Sequence, residues 1–249
     1  DIEESVNEFG FPILLKARHD AYDGKGNFLL RSSKDIEKGL EKLKRRELYI
    51  EKFVPFVKEL AIMVARSPKG EMAVYPVVET IHVDSVCDTV ISPAKISKKA
   101  WKNATNLAKT TMSQLKGAGV FGIEMFLTKD DKVLINEIAP RVHNSGHYTI
   151  EASVTSQFEQ HIRAITGLPL GSTRQIVKAA VMKNILGTKE GSGFPKGLEK
   201  ALRIPGVSYH LYNKNQTRIG RKMGHITVVS DSVKDALQKA NKARRMLVI

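Results

Sequence analysis

Val120-Phe-Gly-Ile-Glu-Met-Phe-Leu127, Thr128-Lys-Asp-Asp-Lys132 and Val133-Leu-Ile-Asn-Glu-Ile-Ala-Pro-Arg141 form the stretch on which the reading of this chain turns. Two apolar runs of strand length flank a polar turn centred on Asp130 and Asp131, which is a hairpin signal. Each run carries one carboxylate, Glu124 and Glu137. With a two-residue turn, residues whose numbers sum to 261 oppose each other, so Glu124 faces Glu137, with Cβ atoms about 5 Å apart. Phe126, Val133 and Ile135 are then expected on the same face, an apolar setting in which opposed carboxylates are costly. A divalent cation removes the conflict. Hard oxygen ligands with positions left open for phosphate suit Mg²⁺ or Mn²⁺. Asn136 lies close enough to assist at the strand end. The alternative is that both glutamates pair with lysines, of which the chain has many.

Composition bounds the rest. The 249 residues are 42% hydrophobic and 27% charged, an ordinary globular balance with length for one large or two modest domains. No apolar run approaches the length that crosses a bilayer, and the start has no secretory pattern. Cys87 is the single cysteine, so no disulfide framework exists and a reducing, cytoplasmic setting is expected. The chain opens on Asp1 in mid-pattern, as a piece that has lost N-terminal sequence would. The net charge of +14 invites nucleic acid as a partner. Yet the basic residues are spread throughout, with no basic arm and no aromatic–basic interleaving, which argues against it. A diffuse cationic surface suits polyphosphate and anionic small molecules by steering.

Upstream of the hairpin, a short helix closes at Gly10, and a strand over 12–18 leads through Ala21-Tyr-Asp-Gly-Lys-Gly-Asn27 into a second strand from Phe28. Glycines here let backbone N–H groups approach an anion, and Lys25 adds charge. Lys16, within an apolar strand, is expensive to bury without an anionic partner. A plain hairpin with a mobile tip is the alternative. A charged helix over 32–46 follows, with Ser33 as cap and Ile36, Leu40 and Leu43 inward. The strand Leu48–Glu51 exits through Lys52, Phe53, Val54 and Pro55, where a broken ladder leaves backbone groups for a heterocycle. Two strands, 58–66 and 72–80, surround a Pro-Lys-Gly turn. Glu59 opens the first and His82 follows the second; each alone fits a structural role. An extended run over 90–96 leads to a helix over 97–116, with Trp101 expected in the core.

Downstream, Arg141, His143, Asn144, Ser145 and His147 gather donors beside the carboxylate pair, where an oxyanion could sit. Arg141 can grip a carboxylate or bicarbonate through two parallel bonds. A loop packed on its own side chains is the alternative. A helix over 151–166 carries Val154, Phe158, Ile162 and Ile165. A strand over 176–185, a glycine-rich connector, two further strands and a closing helix over 231–245 complete the chain. Lys214, Arg218, Arg221 and Lys222 form a cationic cluster suited to a phosphate monoester, or a solvated basic loop. The pattern is α+β, with domains expected over 1–90, 91–187 and 188–249.

Ala21-Tyr-Asp-Gly-Lys-Gly-Asn27, Glu51 with Glu59, Tyr75-Pro-Val-Val-Glu79 with His82, and above all Asn136-Glu-Ile-Ala-Pro-Arg-Val-His-Asn-Ser-Gly-His147 resemble the 5-(carboxyamino)imidazole ribonucleotide synthase family of ATP-grasp enzymes. Ser156-Gln-Phe-Glu-Gln-His-Ile-Arg163, Met182-Lys-Asn-Ile-Leu-Gly187 and Gly220-Arg-Lys-Met-Gly-His225 extend the likeness over nearly the whole chain. The resemblance implies an ATP-grasp fold, two α+β subdomains clamping ATP, with a small C-terminal β-rich subdomain. It implies a ligase of de novo purine biosynthesis that uses ATP and Mg²⁺ to activate bicarbonate as carboxyphosphate, then carboxylates 5-aminoimidazole ribonucleotide. By that likeness Lys16 and the loop of Tyr22, Asp23, Gly24, Lys25, Gly26 and Asn27 hold the phosphates. Glu51, Lys52, Phe53 and Val54 hold adenine, and Glu59 the ribose, with His82 and Asn136 nearby. Glu124 and Glu137 bind Mg²⁺. Arg141, His143, Asn144, Ser145 and His147 hold bicarbonate and carboxyphosphate, and Lys214, Arg221 and Lys222 the ribonucleotide phosphate. Family members form homodimers and carry an N-terminal domain ahead of this segment. Asn27 stands where the family often has Gln. The alternatives are an ATP-grasp ligase of glycinamide ribonucleotide transformylase or biotin carboxylase type, and a fragment that binds ATP without turnover.

Overall fold

Ile13, Leu15 and Ala17 alternate with Leu14 and Lys16, and this period of two sets the inner face of the first sheet. The structure, a computed structural model, describes residues 1–21 and 26–249. These divide into two compact units, Asp1–Pro55 with Val83–Val86, and Phe56–His82 with Cys87–Ile249. Tyr22, Asp23, Gly24 and Lys25 lie outside the described residues.

In the first unit α1 (Ile2–Phe9) ends at Gly10 (φ 71°). Strands β1 (Ile13–Ala17) and β2 (Asn27–Leu30), helix α2 (Ile36–Lys42) and strand β3 (Leu48–Lys52) follow. The sheet order is β2-β1-β3, antiparallel throughout. Its core is Ile13, Leu15, Leu30 and Leu43. The helix expected over 32–46 is shorter. Ser32, not Ser33, caps a 3-10 turn, where the Ser32 N–H donates to Asp35 Oδ2 (3.1 Å). Leu40 is 41% exposed, and Gly39 is the buried residue of α2. A Cβ on Gly39 would lie 3.0 Å from both Leu30 and Phe28, so the missing side chain lets the helix sit directly on the sheet.

The second unit holds β4 (Phe56–Arg66), β5 (Met72–Val74), β6 (Val78–Val83) and β7 (Val86–Ser92), apart from Val83–Val86 at the β6–β7 turn, which belong to the first unit, and then helix α3 (Lys98–Leu115). The single strand expected over 72–80 is interrupted at Tyr75-Pro76-Val77, where Pro76 supplies no N–H to a ladder. Asp84 and Ser85 both take positive φ (50° and 63°) and turn β6 back as β7; this strand begins earlier than the extended run expected from residue 90. Strands β8 (Gly119–Thr128) and β9 (Val133–Ala139), helices α4 (Thr149–Ala152) and α5 (Gln157–Thr166), and strands β10 (Ala179–Leu186) and β11 (Gly191–Ser192) come next. Helix α6 (Leu198–Leu202), strands β12 (Val207–Leu211), β13 (Gln216–Thr217) and β14 (Lys222–Ser230), and helix α7 (Val233–Met246) complete it. Among the described residues a nine-stranded sheet runs β12-β14-β10-β7-β6-β4-β8-β9, with β5 on β4. The C-terminal strands β12 and β14 thus continue the large sheet.

Helix α3 buries Ala100, Ala104, Ala108 and Met112, one stripe at i, i+4 spacing, against Leu60, Ile62, Ile123 and Met125. Trp101, expected in the core, lies off that stripe and is 44% exposed. The stripe is small because a helix of alanines can approach the sheet closely; an indole there would hold it away. Toward the β12 end of the sheet, on the same face as α3, α7 buries Ala236, Ala240 and Ala243 against β10 and β14.

The hairpin of β8 and β9 holds Glu124 opposite Glu137, as the sequence argument expects, but by a different route. The turn is one residue longer: Thr128 N–H donates to Lys132 O (2.9 Å), and Asp131 takes φ 61°. Met125 therefore opposes Ile135 and Leu127 opposes Val133. A β-bulge then inserts Asn136 between Ile135 and Glu137 and restores the expected pairing. The longer turn also corrects the neighbours. Val133 and Ile135 pack on the α3 side, while Leu134, paired with Phe126, shares the glutamates' face.

Candidate functional site

In the first unit Lys16 stands in β1 between Asn27 of β2 and Tyr49 of β3. Its Nζ lies 2.6 Å from Glu51 Oε2. Burial pushes the Lys16 ammonium down, but the Glu51 hydrogen bond and charge outweigh it and leave the pKa raised. The anionic partner that Lys16 needs is thus Glu51. Gly26 O accepts from Ala17 N–H (2.8 Å). Beyond Lys52, residues Phe53, Val54 and Pro55 leave the ladder, as the proline dictates.

The second unit gathers most of the remaining residues on one face of its sheet. Glu59 of β4 lies opposite Phe126, and Ala61 opposite Glu124. Glu59 Oε2 is 2.7 Å from His82 Nδ1 on the neighbouring strand β6. His143 Nε2 approaches Glu124 Oε1 at 3.6 Å. Gly122 makes that possible, since a Cβ there would lie 2.4 Å from His143 Cβ. Burial lifts the Glu124 carboxyl above the usual carboxylate range; His82 opposes this, and Glu137 and Glu59 reinforce it. Burial alone would lower His82, but Glu59 and then Glu124 raise it. Lys222, at the start of β14, acts on the charges of Glu124, His82, His143 and His147 alike. Lys214 Nζ donates to Lys222 O (2.6 Å), and Arg221 to Gln216 O (2.7 Å).

The loop after β9 is fixed by residues to which the sequence pattern assigns no role. Gln157, fully buried at the start of α5, accepts from His143 N–H (2.9 Å) and donates to His143 O (2.7 Å). Gly146 lets the amide approach, because a Cβ there would lie 2.4 Å from Gln157 Oε1. Asn144 exchanges hydrogen bonds with Asn184 of β10 (2.9 and 2.6 Å), and Asn184 also donates to Cys87 O (2.7 Å). His143 Nδ1 meets Ser145 Oγ at 2.7 Å. His147 packs its ring on Phe158 and on His225, whose Nδ1 is 2.9 Å from Tyr212 Oη. Burial, then neighbouring cations, push His143 and His147 down to about 4, so both rings are neutral at physiological pH. Arg141 is exposed and donates to Val142 O (3.1 Å). Buried amides within an apolar-looking helix or strand carry no distinctive sequence signal, which is why Gln157 and Asn184 are absent from the sequence-based site.

Among the described residues no group of three or more His, Cys, Asp or Glu is arranged to hold a metal ion. Glu124 and Glu137 face each other across the β8–β9 ladder and offer two hard oxygen donors, and burial favours the neutral form of Glu124. That donor set suits a hard divalent cation whose other positions go to phosphate or water.

Residues 1–158 match the ATP-grasp domain family, and residues 180–239 match the phosphoribosylaminoimidazole carboxylase C-terminal domain. The chain belongs to the ATP-grasp family. Among ATP-grasp relatives, a phosphoribosylaminoimidazole carboxylase of Candida albicans is 52% identical over 95% of this chain, which spans 42% of that protein. An N5-carboxyaminoimidazole ribonucleotide synthetase structure from Thermotoga maritima is 53% identical with a TM-score of 0.88, covering 100% of this chain and 65% of its own. A synthase from Aspergillus clavatus, solved with ADP and 5-aminoimidazole ribonucleotide, is 40% identical with a TM-score of 0.89, covering 97% of this chain and 64% of its own. The chain therefore spans less than half the length of the curated carboxylase and about two thirds of these ATP-grasp structures. No helix among the described residues is long and apolar enough to cross a membrane.

Proposed function

We propose that this chain carries out the ATP- and bicarbonate-dependent carboxylation of 5-aminoimidazole ribonucleotide to its N-carboxy form, in de novo purine biosynthesis. The observation that carries this reading is the opposed pair Glu124 and Glu137 with His143 against it, on an ATP-grasp frame whose relatives are named for that reaction. Lys16 and residues 22–27 hold the ATP phosphates; Glu51 to Val54 take adenine and Glu59 the ribose, with His82 and Asn136 beside the nucleotide. Glu124 and Glu137 hold Mg²⁺, which when bound neutralises phosphate charge. Bicarbonate, gripped by Arg141 and the 143–147 loop, attacks the γ-phosphorus, and ADP leaves. The carboxyphosphate so formed breaks down to CO₂ and phosphate; the substrate amine attacks the CO₂ and, as the N–C bond forms, releases one proton to solvent, leaving the N-carboxylate. Phosphoryl transfer of this kind depends on positioning and charge neutralisation. Neutral His143 and His147 supply N–H donors without adding acid to the site. Lys214, Arg221 and Lys222 take the ribonucleotide phosphate. The working protein is a cytoplasmic homodimer in which an N-terminal domain completes the ribonucleotide site.

ADP release by the full-length protein tests this. Release should require both bicarbonate and 5-aminoimidazole ribonucleotide. Stimulation by glycinamide ribonucleotide or biotin instead would overturn the assignment.

A further inference from the structure

Two backbone bonds fix which way the Gln157 amide points. His143 N–H needs an acceptor and finds Oε1 at 2.9 Å; His143 C=O needs a donor and finds Nε2 at 2.7 Å. The flipped amide would lose both bonds. Gln157 itself is held from below, its N–H donating to Thr149 Oγ1 (2.9 Å), with Thr149 and Gln157 both fully buried. The amide nitrogen has two hydrogens. One goes to His143 O; the other meets His147 Nδ1 at 2.9 Å. Since that nitrogen can only donate, His147 Nδ1 must accept. The ring also packs on Phe158 (centroids 5.4 Å apart) and on His225 (4.8 Å), contacts that restrict its rotation.

We propose that Gln157 is a positioning residue that fixes His147 as the neutral tautomer with its proton on Nε2. This rests on the proposed function, in which the 143–147 loop holds bicarbonate and carboxyphosphate. The tautomer gives the loop one N–H donor there. A ring protonated on both nitrogens would instead place a proton source beside a carboxylate and a phosphate, both of which it could protonate. Fixed neutral donors aimed at developing negative charge are the usual means of stabilising it.

The experiment is a two-bond ¹H–¹⁵N correlation spectrum of the full-length protein labelled at histidine, recorded at pH 7, with His147 assigned by loss of its signals in His147→Phe. The expected result is an unprotonated Nδ1 and a protonated Nε2. Gln157→Glu is nearly isosteric and, as a carboxylate, can only accept; it should put a proton on Nδ1 and lower kcat about 100-fold, with the KM for ATP unchanged. A protonated Nδ1 or an imidazolium in the unsubstituted protein would overturn the proposal, as would a Gln157→Glu spectrum in which the tautomer has not moved. If the variant does not fold, the unsubstituted spectrum decides alone. Failure of the functional reading is separate: it would appear as ADP release independent of bicarbonate, with the spectrum as expected.

Discussion

The β8–β9 hairpin and helix α5 follow opposite rules. In the hairpin the apolar residues Ile123, Met125 and Leu127 pack on the α3 side and the two glutamates take the opposite face, so the alternation of polarity sets which side meets α3. In α5 the polarity of the inner face is reversed. Gln157, Gln160 and Ala164 are buried, while Phe158, Ile162 and Ile165 are 39%, 55% and 48% exposed. The hairpin is ordered by the hydrophobic effect and α5 by amide hydrogen bonds to loop backbone. Side-chain polarity predicts the inner face only where the neighbouring element has no unpaired backbone groups of its own.

The largest expected effect is at the hairpin. Glu137→Gln should lower ADP release about 10²- to 10³-fold, read as steady-state turnover at saturating ATP. Glu124→Gln should lose turnover similarly yet raise the melting temperature of the nucleotide-free protein at pH 7. The folded pKa of Glu124 is raised, so its stabilising contribution is complete below the unfolded value and lost as pH rises through the folded one. A lower melting temperature for Glu124→Gln would mean that the carboxylates are compensated in some other way.

Next is the buried side of α5. Gln160 exchanges two 2.8 Å bonds with the backbone of Gly171. Gln160→Leu should cost about 2–3 kcal/mol in urea unfolding, because it strands both backbone groups. A cost near zero would remove the distinction drawn between the two elements.

The third expectation concerns acid. Burial depresses His143 and His147 to about 4 and His225 to about 2. A depressed histidine gives stability that is full above its unfolded value, about 6.5, and lost as pH falls toward its folded value. Unfolding free energy should therefore decline from about pH 6.5 towards 4, each ring adding up to about 1.4 kcal/mol per pH unit, with Glu124 offsetting part of it. His225→Phe should flatten the slope; an unchanged slope would mean that His225 is not held neutral.

The smallest effects belong to the outward stripe. Ile162→Ser, and Trp101→Ala on α3, should each change stability by no more than about 0.5 kcal/mol, checked by the same unfolding curves. A loss of about 2 kcal/mol or more at Ile162, on the scale of core truncation, would place the stripe against a partner surface.

Legibility in the sequence follows the same division. The strands, the α3 and α7 helices and the facing glutamates can be read because period and turn chemistry act locally. The turn is one residue longer than its sequence suggests and Asn136 supplies the correction, since a bulge depends on what the partner strand requires. Leu40 and Trp101 are not where a hydrophobic count puts them. The inner faces of α2 and α3 are set by close approach through Gly39 and the alanines, and such a count favours the larger side chain. The pattern over 151–166 suggests one helix; Ser153 to Ser156 interrupt it, and Ser156 caps α5 by accepting from Glu159 N–H. The clamp of Gln157 on His143 joins residues 14 apart in the chain and leaves no periodic trace.

Were Asn136 deleted, the remaining residues of β9 would fall into one continuous register, and Glu124 and Glu137 would still meet. The supernumerary residue is therefore not needed for their encounter. What it adds is curvature: an extra link on one side makes a ribbon veer and coil more tightly, and it does so just before Pro140, where the chain leaves for Arg141 and the histidines. The heading of that departure is set at a position defined by the ladder and not by the histidines it aims.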